Sequence, residues 1–217
     1  MQYDLTVIGS GPGGYVAAIR ASQLGMKTAI VECAELGGVC LNRGCIPAKS
    51  LLKNAQVFEN VKHAADYGIL LGDACPNIEK IVERAKNVSA TMSRGIDMLL
   101  KKNRIDLIRG YGRLKSPNTV EVSGETEITA AHIIIATGAR PKELPALPVD
   151  EKYLLSYKKA LFPDFLPESM LIVGSGAIGT ELAYFYNSMG TKVTLVEFMP
   201  QIVPLEDGEV SMQLSRS

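Results

Sequence analysis

The chain has 217 residues, room for one large domain or two modest ones built around a real core. Lys plus Arg and Asp plus Glu are 23 each, a balance that argues against a nucleic-acid binder or a polybasic membrane-surface protein. The 47% hydrophobic fraction is that of a globular protein, and no run approaches the roughly 20 apolar residues of a membrane-spanning helix.

The N-terminal stretch MQYDLTVIGSGPGG lacks the basic start, apolar run and cleavage site of a secretory signal, so the expected location is cytoplasmic. Four cysteines are too few for a disulfide scaffold, and a reducing compartment would not keep structural bridges. A disulfide in this chain is therefore expected to do chemistry.

In chain order, Leu5 to Ile8 reads as a strand, Gly9-Ser10-Gly11-Pro12-Gly13-Gly14 as a turn, Tyr15 to Leu24 as a helix and Thr28 to Val31 as a second strand ending at Glu32. Ala48 to about Tyr67 reads as helical. So does Ile78 to Lys102, where Ile78, Ile81, Val82, Ala85, Val88, Met92, Ile96, Leu99 and Leu100 recur at helical spacing. Asp106 to Ile108, Thr119 to Val122 and Ile133 to Ile135 read as strands. Pro141, Pro145, Pro148 and Pro163 mark a domain boundary. The opening design then returns: strand Met170 to Val173, turn Gly174-Ser175-Gly176-Ala177-Ile178-Gly179, helix to Met189, strand Val193 to Val196, and Glu197. Two such βαβ starts predict an α/β protein with two Rossmann-like, doubly wound dinucleotide-binding units, the second truncated.

A lone glycine turn also marks ordinary packing. Here Gly9, Gly11 and Gly14 lie between a strand and a helix, with an acidic residue ending the next strand, which is the context a dinucleotide site needs. The expected roles are a tight turn at Gly9, backbone approach to a pyrophosphate at Gly11 and close packing at Gly14. Free N–H groups of the helix N-terminus and Glu32 would serve the phosphates and a ribose. In the second copy Glu197 holds the ribose position and no Arg follows before Arg216, so NAD(H) is expected over NADP(H).

Between the copies runs Gly37-Gly38-Val39-Cys40-Leu41-Asn42-Arg43-Gly44-Cys45-Ile46-Pro47-Ala48-Lys49. Two cysteines at this spacing in a straight helix would have Cα atoms roughly 8 to 9 Å apart, too far for a disulfide. Gly44 can break the helical path, and Pro47 suits the first turn of a helix continuing to Val57. Cys45 would then open that helix, whose dipole favours a thiolate. Structural thiols and a zinc site remain the alternatives, although a zinc site needs a second ligand pair. Cys33 and Cys75 are expected to be small buried or semi-buried thiols, and His63 and His132 to be structural.

The segments GSGPGG, LGGVCLNRGCIPAKSLL, IIIATGARP and LIVGSGAIGTELA, in this order, resemble the pyridine nucleotide–disulfide oxidoreductase family. CLNRGCIPAK is more similar to its dihydrolipoyl dehydrogenase branch than to the glutathione or mercuric reductases. The resemblance implies an FAD-binding domain over residues 1–148 and the beginning of an NAD-binding domain over 149–217. It implies that Gly9, Gly11, Gly14, Glu32, Lys49, Gly112, Thr137, Gly138 and Ala139 line the FAD site, and Gly174, Gly176, Gly179, Glu181 and Glu197 the NAD site, with Lys49 paired to Glu181. Cys40 would take the mixed disulfide with a dihydrolipoyl arm and Cys45 would face the flavin as the charge-transfer thiolate, electrons passing through FAD to NAD⁺. The implied partners are the lipoyl domain of a 2-oxo acid dehydrogenase or glycine-cleavage complex and, in the full-length family, a second copy of the chain.

Family members are expected to be roughly twice this length, with more of the NAD domain, a later FAD segment and a dimerisation domain carrying a His–Glu acid–base pair. Without that base, thiol exchange by these residues alone is expected to be slow. The alternative reading is an inactive truncated fragment with weak or no FAD binding.

Overall fold

The computed structural model describes residues 2–142 and 144–216. By internal packing the chain divides into two compact units, Met1–Pro47 with Lys86–Lys142, and Ala48–Ala85 with Glu143–Ser217. The division near residue 142 falls in the proline-rich stretch, but each unit is assembled from two separate segments.

The first unit is built on strands β1 (Gln2–Ile8), β2 (Thr28–Glu32), β3 (Asp106–Arg109), β4 (Gly112–Ser116), β5 (Thr119–Val122) and β6 (Thr126–Ile135). They form one sheet in the order β3-β2-β1-β6-β5-β4. β3, β2, β1 and β6 run parallel, whereas β5 and β4 continue from β6 as an antiparallel meander, so the sheet is mixed. β1 lies centrally, and its last four residues, Leu5 to Ile8, are all buried because both its faces are covered there. On one face Leu5, Val7 and Ile30 pack with Ala18 and Ala21 of helix α1 (Pro12–Gln23) and with Ile96 and Leu100 of helix α4 (Ile78–Lys102). On the other, Ile8, Ala29 and Val31 pack with Val120, Val122, Ile128 and Ala130 of the meander.

α4 has the bounds its periodicity predicts. α1 starts three residues earlier than expected, because Pro12 can occupy the first helical position at no cost in hydrogen bonds. The expected helix from Ala48 is instead α3 (Cys45–Lys62), followed by a single 3₁₀ turn at Ala64–Tyr67, and it runs past Val57. Before it lies the six-residue α2 (Gly38–Arg43).

In the second unit, β7 (Ser169–Val173) and β8 (Lys192–Val196) pair in parallel around helix α6 (Ala177–Ser188). Leu182, Phe185, Tyr186 and Met189 pack with Leu51 and Ala55 of α3 and with Ala160 and Leu161, which lie at the end of the short helix α5 (Tyr157–Ala160). The Phe185 and Tyr186 rings meet edge to face at 5.2 Å, and the Tyr186 hydroxyl donates to the Ala160 carbonyl. A last helix, α7 (Gly208–Arg216), follows. Among the described residues no helix is long and apolar enough to cross a membrane.

Candidate functional site

The first glycine turn leaves the C-terminal end of β1 and enters α1 at Gly11, which no side chain caps. Gly9 has φ +100°, and a Cβ there would lie 2.3 Å from the carbonyl oxygen of Ala136, so the loop after β6 sits directly on the turn and brings Thr137 beside it. A Cβ on Gly14 would stand 1.9 Å from the Gly9 oxygen, which fixes how closely α1 rides on β1. At Gly11, by contrast, a Cβ would meet open space. The helix N-terminus is thus uncovered on the side where a ligand could approach its backbone.

Glu32 ends β2 beneath this turn and is buried. Its Oε2 accepts from the Ser10 N–H at 2.8 Å and the Ser10 hydroxyl at 2.6 Å, and its Oε1 accepts from the Ala34 N–H at 2.8 Å. Burial pushes the carboxyl up, but the Ser10 hydroxyl and the N–H groups of Ser10, Ala34 and Cys33 outweigh it and hold it below its ordinary value. Glu197 repeats the arrangement in the second unit. Oε2 accepts from the Ser175 N–H at 2.8 Å and hydroxyl at 2.9 Å, and Oε1 from the N–H groups of Phe198 and Met199 at 2.8 and 3.0 Å. The Met199 and Ser175 N–H groups, with the Ser175 hydroxyl, lower this carboxyl to about 2. Gly179 repeats Gly14, with a Cβ position 1.9 Å from the Gly174 oxygen.

The cysteine segment begins at the same turn. Gly38 has φ +59°, and a Cβ on it would lie 2.8 Å from the Gly11 Cα, so the entrance to α2 rests on the first glycine turn. Cys40 sits in α2, partly covered by the first core. Gly44 leaves the helical path at φ −154° and ψ −118°, and Cys45 is the first residue of α3. A Cβ on Gly44 would lie 3.3 Å from the Cys40 Cα and 3.0 Å from the Val39 oxygen, so the break folds the residue before Cys45 back onto Cys40. This is the helix interruption that the spacing required.

Cys40 and Cys45 are both thiols, as are Cys33 and Cys75. The expectation of buried or semi-buried thiols at Cys33 and Cys75 is corrected, since both are exposed. Cys33 follows the last buried residue of β2, and Cys75 lies in the exposed stretch between the 3₁₀ turn and α4, so neither has a core to enter. Among the described residues no three His, Cys, Asp or Glu side chains converge on a position that could hold a metal ion. His63 is exposed beside Asp66, with Nδ1 and Oδ2 3.3 Å apart, and His132 lies in the middle of β6 rather than at a strand start.

Within the second unit Lys49 makes an ion pair with Glu181, as the resemblance implied. Gly138, at φ +73°, and Ala139 are exposed in the loop after Thr137. Gly112 opens β4, where a Cβ would press to 2.9 Å from Ile8 Cγ2 and 3.1 Å from Val31 Cγ1, so its lack of a side chain serves sheet packing. Sequence reasoning passed over Ser10, whose carbonyl oxygen accepts from the Gly37 N–H at 3.1 Å while its hydroxyl fixes Glu32. The available signal was a serine after the first glycine of both fingerprints, each followed by a Glu at the same interval.

The family model described as pyridine nucleotide-disulphide oxidoreductase matches residues 3–217. The chain is 50% identical to a dihydrolipoyl dehydrogenase of Rhizobium etli over 96% of its own length and 47% of that protein's. It is 44% identical to one of Chlorobaculum parvum and 45% to one of Zymomonas mobilis, over 100% and 99% of its length and 47% of theirs. The chain therefore spans about half the length of the curated relatives it matches.

Proposed function

Because the chain belongs to the pyridine nucleotide-disulphide oxidoreductase family, we propose that it supplies the FAD-binding and redox-disulfide portion of a dihydrolipoyl dehydrogenase, together with the start of the NAD site. The observation that carries this reading is the seat of Gly38 against Gly11, which joins the cysteine-bearing helix to the dinucleotide turn.

The residues fit such a cofactor. Gly11 offers an open backbone approach at an uncapped helix N-terminus, suited to a pyrophosphate. Glu32, ionised and pinned by Ser10 and Ala34, suits a ribose hydroxyl as donor. Thr137, Gly138, Ala139 and Gly112 would line the same end of the sheet. Lys49, held by Glu181, would present its ammonium to the cofactor's ring system. In the second unit Gly174, Gly176 and Gly179 would take the NAD pyrophosphate, and Glu197 would repel a 2′-phosphate. Its four accepted hydrogen bonds are what a carboxylate can hold, so a ribose hydroxyl would displace one donor, and the rotatable Ser175 hydroxyl is the least costly to release.

In the proposed reaction a dihydrolipoyl dithiol attacks the Cys40–Cys45 disulfide at Cys40. The protein S–S bond breaks and the lipoyl S–S bond forms, the electron pair remains on the two cysteines, and the two dithiol protons are released. Bound FAD supplies the two-electron acceptor between those thiols and NAD⁺. The chain's own part is to hold the sulfurs together, to keep Cys45 at the start of α3 and to orient the cofactor through Glu32. The lipoyl-bearing partner, a second copy of the chain and the acid–base pair for thiol exchange belong to this proposal for the whole protein.

The test is titration of the chain with FAD, read by flavin fluorescence. Saturable binding weakened at least about tenfold by Glu32→Ala, the loss of charged hydrogen bonds to a ribose, is expected. Equal binding by both proteins contradicts the reading. In a chain that includes the remaining half, Glu197→Ala is expected to narrow the preference for NADH over NADPH, and unchanged preference contradicts the ribose role.

A further inference from the structure

We infer that Ser93, in the middle of α4, is a positioning residue for the Cys40–Cys45 pair, acting through the Asn42 amide and the Leu36 carbonyl. The inference rests on the redox reading above and extends it to a residue outside the cysteine motif.

Six residues are far too few for a helix to be stable by itself, so the place of α2 is set by what braces it. Leu36 and Leu41 supply the apolar brace, both buried in the first core with Ile96 and Leu100 of α4. The polar brace is the Asn42 side chain, whose Nδ2 donates to the carbonyls of Leu36 at 2.9 Å and Gly38 at 3.0 Å. Ser93 ties this amide to a 25-residue helix: its Oγ lies 2.8 Å from the Leu36 oxygen and 3.0 Å from Asn42 Oδ1. The single hydroxyl proton serves either acceptor, joining α4 to the turn that leads into α2 through Leu36 or to α2 itself through Asn42. The Arg43–Glu35 pair at 3.0 Å crosses the same turn but is exposed and worth little.

A disulfide tolerates a narrow range of Cα separation, about 4.4 to 6.8 Å, whereas two thiols impose none. Any freedom given to α2 therefore dilutes the conformations in which the bond can form and leaves the dithiol unaffected. Loosening the brace lowers the equilibrium constant for oxidation.

Glutathione provides the exchange partner. As the Cys40–Cys45 bond forms, the S–S bond of glutathione disulfide breaks, two electrons pass to glutathione, and the two thiol protons end on two reduced glutathiones. The chain is equilibrated over a series of glutathione redox ratios, quenched in acid, alkylated, digested, and the Cys40–Cys45 peptide link quantified by mass spectrometry. Ser93→Ala is expected to lower the oxidation constant about fivefold, the worth of one net hydrogen bond, and Ser93→Thr to restore it. Asn42→Asp, which removes the amide donor at nearly constant volume, is expected to lower it likewise. Ser89→Ala is the control on the same helix: its hydroxyl is buried with no hydrogen-bond partner among the described residues, so its removal is expected to leave the constant unchanged.

Ser93→Ala and Asn42→Asp with the constant of the Ser89→Ala protein would overturn the positioning role while leaving the redox pair intact. Absence of a Cys40–Cys45 link in the unaltered chain at every ratio removes the redox reading, and this inference with it.

Discussion

At the scale of single residues, the two carboxylates that close the glycine turns show how a site residue can be legible while its support is not. Glu32 and Glu197 stand out because one ends and the other directly follows the strand after a glycine fingerprint. Ser10 and Ser175, which fix them, do not, because a serine's partner across a turn has no local signature. The chemistry has a pH consequence. Glu197 is lowered from an ordinary 4.5 to about 2, so its contribution to stability is fully present above about pH 4.5 and is lost as pH falls towards 2. Glu32, also lowered, acts in the same direction. Urea midpoints recorded from pH 7 to pH 2.5 are expected to fall below about pH 4.5, with a shallower decline in Glu197→Gln. Parallel declines in the two proteins would show that the carboxylate does not carry the effect.

At the scale of elements, the strongest periodic signal gave the most accurate bounds. α4 carries nine apolar residues at helical spacing and folds over the predicted span. β6 is legible only at Ile133 to Ile135, because in its first half only Ile128 and Ala130 are buried, each separated by polar residues. The break between α2 and α3 was legible, because glycine and proline state their effect on the backbone directly. The two fingerprint helices make the packing testable. Gly14→Ala and Gly179→Ala each drive a Cβ to 1.9 Å from a backbone oxygen that cannot swing aside, and each is expected to cost about 3 kcal/mol or more in denaturant unfolding. Gly44→Ala, at 3.0 Å from the Val39 oxygen, is expected to cost about 1 kcal/mol. Equal costs at Gly14 and Gly44 would contradict this account of the close approaches.

At the scale of the whole molecule, the repeat of the βαβ design was visible in the sequence, whereas the composition of each unit was not. Residues 48–85 pack with residues 143–217, and no local pattern announces which neighbours a helix will choose. The two units also differ in what their sheets bury. The first has six strands with both faces of its centre covered, while β7 and β8 form a two-stranded sheet whose Leu171 and Val173 are 62% and 54% exposed. Two strands are marginal without further cover. Amides of β7 and β8 are therefore expected to exchange with solvent more than about tenfold faster than those of β1 and β2, as read by hydrogen exchange. Equal protection would show that the second unit is as firmly closed as the first.

The most direct test of the proposed redox centre is a disulfide map of the chain after mild oxidation. The account predicts one intramolecular link, Cys40 to Cys45, with Cys33 and Cys75 still open to alkylation. Alkylation of both Cys40 and Cys45, or a link from either to Cys33 or Cys75, would contradict it.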